Sequence, residues 1–224
     1  MFNFTRAKKY ALKGNNLKAE EYFDKMVKGK TNLSKLVTYG YFLAKTGKGE
    51  KSRLLFEEEI IPKFNKLQKQ IPQVEIMVMN NYSISLWKSG NLDKAIKVTE
   101  ELLSKYKNTE IYGSLGLYYI LDGNKNAYSF CQEAYDFSPN DMTIIDNLAF
   151  CCFKEKFYDK ATEYYEILIS KNPSYPDAYY FYGLLLLKTG NKEEAKKMFK
   201  KALAFNFSAL SLASKEEAEN MLSI

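Results

Sequence analysis

Along the chain, apolar residues recur at three- and four-residue spacing in short stretches. Each stretch is closed by a stop residue and reopened one or two positions later, a pattern that predicts helices joined in tight hairpins. Within it a small side chain returns about every 34 residues, at Ala7, Gly40, Ser83, Gly116, Ala149 and Gly183. A stop follows each of them seven positions on, at Gly14, Gly47, Gly90, Gly123, Lys156 and Gly190. The helix after the stop carries a second small position, Ala19, Ser52, Ala95, Ala127, Ala161 and Ala195. Four residues further comes a larger one, Phe23, Phe56, Thr99, Cys131, Tyr165 and Phe199. Self-similarity at this period predicts an all-α array in which each hairpin packs on its neighbours.

The expected organisation is a single array over 1–224, with units near 1–32, 33–75, 76–108, 109–141, 142–175 and 176–209 and a capping helix over 210–224. The sixth unit shows the plan best: a helix from Pro176 to Thr189, Gly190 in a left-handed conformation, and Asn191 as the expected side-chain N-cap of the next helix. The second unit departs from it. Glu59 stands where a small or apolar residue is expected, and about nine extra residues separate Gly47 from Gly90. Ile60, Ile61, Phe64, Leu67 and Ile71 keep helical spacing through this insertion, and Pro62 suits a first turn, so a lengthened or kinked helix is expected. The fourth unit lacks one residue between Gly123 and Ala127, and the fifth has Lys156 in place of glycine. In the last segment Leu212, Ala218 and Leu222 share one side, as a helix covering the apolar end of an array requires.

Composition narrows the function classes. Hydrophobic residues make up 46% and aromatic residues 15% of the 224, enough to fill a continuous core. The net charge of +6 comes mainly from lysines on exposed helix sides, and Arg6 and Arg53 are the two arginines. Without a clustered stripe or arginine forks for phosphate, nucleic acid is not an expected partner. Cys131, Cys151 and Cys152 are odd in number, two are adjacent, and all fall on expected helices, which suits a reducing, cytoplasmic compartment and core packing. No run of 18 apolar residues occurs, so no membrane insertion by this segment is expected. Phe2, Asn3 and Phe4 already lie in the first expected helix with nothing before Met1 to cap it, which raises the expectation of an upstream segment such as a membrane tether.

Tyr179, Tyr182, Gly183, Leu186, Ala195, Phe199 and Ala202 resemble the tetratricopeptide repeat signature at its spacing, and the pattern recurs over essentially the whole chain. Pro139 and Pro173 end the fourth and fifth units where that family often has proline. The resemblance implies a right-handed superhelical solenoid whose first helices line a concave groove. Carried onto this sequence, the groove positions are Val37, Thr38 and Tyr41; Asn80, Asn81, Ile84 and Trp87; Leu117; Asp146, Asn147, Phe150 and Phe153; and Tyr180, Phe181 and Leu184. Asparagine can donate to and accept from an extended backbone, and aromatic side chains take apolar residues. Packing within the array, or a site on the convex face, is the competing role for these side chains. The two-carboxylate clamp of some relatives is not expected: Asn81 and Asn147 match its asparagines, but Glu110, Ser114, Asp177 and Phe181 stand where its lysines and arginine would be.

Catalysis has little support. The chain has no histidine, hence no ordinary triad, and no glycine-rich phosphate loop. Neither a cofactor nor a metal is expected, and Glu57, Glu58, Glu193 and Glu194 read as solvated charge. The sequence thus points to a bacterial protein-interaction scaffold that holds a peptide or protein segment in its groove. The bacterial source rests on richness in lysine, asparagine, isoleucine and tyrosine. The alternatives are self-association as a homodimer through Tyr179, Tyr180, Phe181 and Tyr182, and a regulatory arm tethered to a membrane or enzyme complex.

Overall fold

The computed structural model describes residues 2–28, 31–68 and 71–223. These are helical with no strand among them. The chain divides into two compact units, Met1–Leu102 and Leu103–Ile224.

The first unit contains α1 (Phe2–Leu12), α2 (Asn16–Val27), α3 (Leu33–Lys45), α4 (Gly49–Leu55), a π-helical segment (Phe56–Ile60), α5 (Ile61–Asn65), α6 (Pro72–Lys88) and most of α7 (Leu92–Lys105). The second holds α8 (Thr109–Asp122), α9 (Ala127–Phe137), α10 (Met142–Lys154), α11 (Tyr158–Ser170), α12 (Pro176–Lys188), α13 (Lys192–Leu203), α14 (Lys215–Asn220) and a 3-10 turn (Met221–Ser223). The six expected hairpins are present as α1/α2, α3/α4, α6/α7, α8/α9, α10/α11 and α12/α13.

One backbone device closes the first helix of every hairpin. The N–H groups of Asn15, Lys48, Asn91, Asn124, Phe157 and Asn191 each donate to the carbonyl five residues back, at 2.8–3.0 Å. The residue before each of these is in the left-handed region: five glycines with φ between 70 and 89°, and Lys156 with φ 62°. This is the Schellman geometry, which satisfies orphan carbonyls and reverses the chain within two residues. The expected side-chain cap at Asn191 is not formed: Asn191 makes no side-chain hydrogen bond to the start of α13. Asn15, Asn32, Asn108 and Asp141 do accept from the first turns of α2, α3, α8 and α10.

The two small positions and the large one of every hairpin are buried. Ala19, Ser52, Ala95, Ala161 and Ala195 have no exposed surface, and Phe56, Thr99, Tyr165 and Phe199 have none either. The approach is closest where the first small residue is glycine. A β-carbon added to Gly183 would stand 2.6 Å from the Phe199 ring, and one added to Gly40 would stand 2.4 Å from Phe56. Full burial of such a phenylalanine stabilises by about 1.5–3 kcal/mol, so the missing methyl group is a condition of that burial. Cys131, Cys151 and Cys152 are buried free thiols among these residues.

The insertion of the second unit lengthens the helix, as expected, and the lengthened helix ends short of Leu67 and Ile71. Residues Leu55, Phe56, Ile60 and Ile61 keep right-handed helical backbone, so α4 and α5 form one rod, and within it the Ile61 N–H donates to Phe56, five residues back. Pro62 has no N–H for Glu58 and its ring would meet that carbonyl in an α-turn, and the wider π-turn relieves both conflicts. The extra residue in the turn moves the buried site from Glu59, which is exposed, to Ile60, which is fully buried. The rod ends at Asn65, so Leu67 and Ile71, 40% and 47% exposed, do not continue it.

The expected closing helix over 210–224 is shorter than its pattern. Residues 206–214 run as an irregular strap, and Ile224 lies outside the described residues. Helix α14 follows with a capping box between Ser214 and Glu217 and buries Ala218 against the core.

Lys156 adopts a conformation that costs a side-chain-bearing residue about 1–2 kcal/mol, and glycine meets that cost in the other five hairpins. Lys156→Gly is therefore expected to stabilise the protein by about 1 kcal/mol after the greater flexibility of unfolded glycine is offset. Equilibrium urea unfolding measures it.

Candidate functional site

The expected binding residues all lie on first helices, α3, α6, α8, α10 and α12, but they divide by exposure. Val37, Asn80, Asn147, Phe150 and Tyr180 are less than 9% exposed and belong to the interior. Thr38, Asn81, Ile84, Trp87, Leu117, Asp146, Phe153, Phe181 and Leu184 are partly exposed, and Tyr41 is 38% exposed.

In the first unit Tyr41 stands on α3, and Asn81, Ile84 and Trp87 on α6. The Lys88 ammonium lies 4.3 Å from the centre of the Trp87 ring, a cation–π contact that holds the indole against its own helix. Asn81 donates its amide to the Met77 carbonyl one turn back, and Thr38 likewise donates to Ser34. The Asn80 side-chain carbonyl is buried with no hydrogen-bond partner.

In the second unit α8, α10 and α12 follow one another side by side. The Asn147 amide donates to the Gly113 carbonyl at 2.7 Å, which ties α10 to the interior of α8. That bond takes up one amide hydrogen and, with its burial, gives Asn147 a structural task. Phe150 and Phe181 pack at 4.5 Å between α10 and α12, and Tyr180 packs edge-on to Phe181 at 5.2 Å. Buried Phe150 thus supports partly exposed Phe181, while Phe153, Leu117 and Leu184 complete the apolar part of this face.

α10, α11 and the start of α12 also bring together a buried polar cluster. Asp146 on α10, Tyr165 on α11, and Tyr175 and Asp177 at the start of α12 act on one another electrostatically. Burial strips water from the Asp146 carboxylate and the neighbouring Asp177 repels its charge. Together these push its pKa up from 3.8 to about 7, with the Tyr175 hydroxyl opposing part of the rise. Burial raises the Tyr165 and Tyr175 phenols far above their ordinary value, with Asp146 as the next cause for both. The Tyr165 hydroxyl is buried with no protein partner, whereas the Tyr175 hydroxyl is coupled to the Asp146 carboxylate by a hydrogen bond. Asp177 is anchored: its two carboxylate oxygens accept from the Leu212 and Ala213 amides at 3.0 and 3.2 Å, which holds the C-terminal strap on α12.

The repeat pattern assigns Tyr165 to the core, where it is. The signal missed in the sequence is the hydroxyl group, a tyrosine at a position filled by phenylalanine in three other units. Among the described residues no cluster of three acidic, cysteine or histidine side chains could hold a metal ion, and no helix is long and apolar enough to cross a membrane.

The raised Asp146 pKa carries a sign. The folded state holds this proton more tightly than the unfolded chain, so its favourable contribution is complete below pH 4 and is lost as pH rises to about 7. The melting temperature is expected to fall between pH 5 and pH 8, and Asp146→Asn to remove most of that slope. Differential scanning calorimetry of the two proteins across this range measures both effects.

Comparison with known proteins agrees with this architecture. The tetratricopeptide repeat family model matches residues 153–215. Over 118 residues the chain is 25% identical to tetratricopeptide repeat-containing protein trd-1 of Caenorhabditis elegans, a match that covers 52% of this chain and 15% of that protein's length. Among solved structures, a thermophilic TPR protein of Thermus thermophilus aligns with a TM-score of 0.68 at 16% identity, over 86% of this chain and 100% of its own. A MamA fragment from Desulfovibrio magneticus aligns with a TM-score of 0.55 at 18% identity, over 75% and 92% of the two chains. The shared fold, the repeat matched at residues 153–215 and the six hairpins with their buried small positions give the chain an all-α fold like that of tetratricopeptide repeat proteins.

Proposed function

We propose that the protein is an interaction scaffold that docks a peptide or protein segment on the exposed sides of its first helices. The supporting observation is the row of partly exposed side chains carried by successive first helices: Tyr41, Ile84 and Trp87 in the first unit, and Leu117, Phe153, Phe181 and Leu184 in the second. These are rigid or branched apolar groups held by interior neighbours, the kind of anchor that carries binding energy at low entropic cost. Phe181 shows the design, since Phe150 and Tyr180 fix its ring from beneath. Self-association through the tyrosine run on α12 has less to stand on. Tyr179, Tyr180 and Tyr182 are each at most 8% exposed, and Phe181 alone of that run is partly exposed. Substrate turnover has no support in the buried acid and tyrosine cluster of the second unit, which lacks a nucleophile with an adjacent base.

Trp87→Ala in one variant and Phe153→Ala with Phe181→Ala in another remove the exposed anchors and leave the buried small positions untouched. The immobilised parent is expected to retain a protein from its own cell lysate that one or both variants retain at least about tenfold less, the loss of about 1.4 kcal/mol expected for a binding anchor. Equal retention by all three, with circular dichroism showing unchanged helicity, contradicts docking on these helix sides.

A further inference from the structure

We infer that the first hairpin, α1/α2, rests on an anionic lipid surface through the solvent side of α1 and the turn that follows it. None of the side chains assigned above to segment docking takes part, so the two readings stand or fall separately.

Charge is concentrated in this hairpin. Residues 1–30 hold eight lysines and arginines against three acids, so they carry +5 of the chain's +6. Residues 1–19 contain no acid and five cations, Arg6, Lys8, Lys9, Lys13 and Lys18. The three acids come later, on α2, and each is occupied: Glu20 pairs with Lys48 and Lys51, Asp24 with Lys51, and Glu21 with Lys25. Among the described residues no carboxylate pairs with any of the five cations. Aromatic rings position three of them instead. Arg6 lies 5.6 Å from the centre of the Tyr22 ring, Lys18 5.5 Å from Tyr10 and Lys8 5.7 Å from Phe4, while Tyr10 and Tyr22 stack on each other at 5.5 Å.

Helical spacing turns this charge outward. Ala7 is buried, and Phe4, Tyr10 and Ala11 pack against the core of the first unit. The opposite arc of α1 is therefore Phe2, Thr5, Arg6, Lys8, Lys9 and Leu12, all exposed. The turn adds Lys13, Leu17 and Lys18, exposed as well. Phe2, Leu12 and Leu17 are 81–86% exposed, whereas no other large apolar side chain among the described residues exceeds 47%.

Three classes of partner can be weighed. A nucleic acid would use the cations for phosphate, but the tyrosines that could stack on bases are stacked on each other, and the leucine tips would meet nothing. An acidic protein segment would also be drawn to the charge. Protein interfaces, however, are poor in lysine and seat their apolar anchors in pockets, while Leu12 and Leu17 flank a turn. An anionic bilayer uses both features: its headgroup phosphates gather around the ammonium groups, and the apolar tips beside them reach the upper acyl chains. No described helix is long and apolar enough to cross a membrane, so the contact is with the surface alone.

Co-sedimentation of the full chain with phosphatidylcholine vesicles, with and without about 30% phosphatidylglycerol, tests this. The protein should bind the anionic vesicles at least about tenfold more tightly than the neutral ones, and lose most of that binding as salt rises from about 0.1 to about 0.5 M. Lys9→Gln with Lys13→Gln should weaken binding at least about tenfold, whereas the charge-matched Lys192→Gln with Lys200→Gln on α13 should leave it unchanged. Leu12→Ser with Leu17→Ser should weaken it about tenfold with the same salt dependence. Every substituted position is exposed, and circular dichroism checks that helicity is kept. Equal binding to both kinds of vesicle or to neither, equal losses from the two lysine pairs, or no loss from the leucine pair overturns the proposal. Tighter binding to polyglutamate or to duplex DNA than to the anionic vesicles also overturns it, in favour of an acidic protein or a nucleic acid.

Discussion

The distance between the two helices of each hairpin governs the rest of this structure. At Gly40 and Gly183 the facing phenylalanine occupies the volume a β-carbon would need. The aromatic ring can be buried in full because the opposite backbone carries only hydrogen there. That contact sets how close the paired helices lie. Together with the Schellman turn that ends each first helix, it fixes which side of each first helix faces its partner and which is left for other contacts. The partly exposed row of Leu117, Phe153, Phe181 and Leu184 is a product of that register.

Where the register is perturbed, backbone changes absorb the difference and the buried sites persist. The π-turn at Phe56–Ile60 lets a rod containing Pro62 remain continuous and substitutes Ile60 for Glu59 in the core. Lys156 takes up the left-handed turn that glycine supplies elsewhere. Ser52, at a position otherwise filled by alanine, satisfies its hydroxyl with the Gly40 carbonyl at 2.7 Å and with Ser85 at 2.6 Å. A polar residue is accepted at a contact this tight because the opposing backbone offers an acceptor.

The parts of the structure that were legible in the sequence are those enforced by volume. Small side chains at fixed spacing admit one way of pairing helices, so the hairpins, their stops and their buried positions could be read directly. Hydrogen bonding was harder to read, because a polar side chain does not declare its partner. Asn147 and Asn81 look alike in the repeat pattern, yet one reaches the Gly113 carbonyl on a neighbouring helix and the other the Met77 carbonyl on its own. Phe150 and Phe181 both read as groove aromatics, and their order, one buried beneath the other, depends on three-dimensional packing. The closing helix is shorter than its apolar pattern because Asp177 captures the Leu212 and Ala213 amides and holds that stretch as a strap. The buried acidic cluster was not legible because its members come from three helices and one of them, Tyr165, reads by its position as core.

A double-mutant cycle between Gly183 and Phe199 tests the governing contact most directly. Gly183→Ala places a methyl group against the ring, Phe199→Leu removes the ring, and in the double variant the new methyl group enters the space the ring has left. Close packing predicts that the double variant is more stable than the sum of the single losses by about 1 kcal/mol or more in urea unfolding. Additivity within about 0.3 kcal/mol would show that the two positions do not meet, and would contradict the register on which the fold and the proposed docking surface depend.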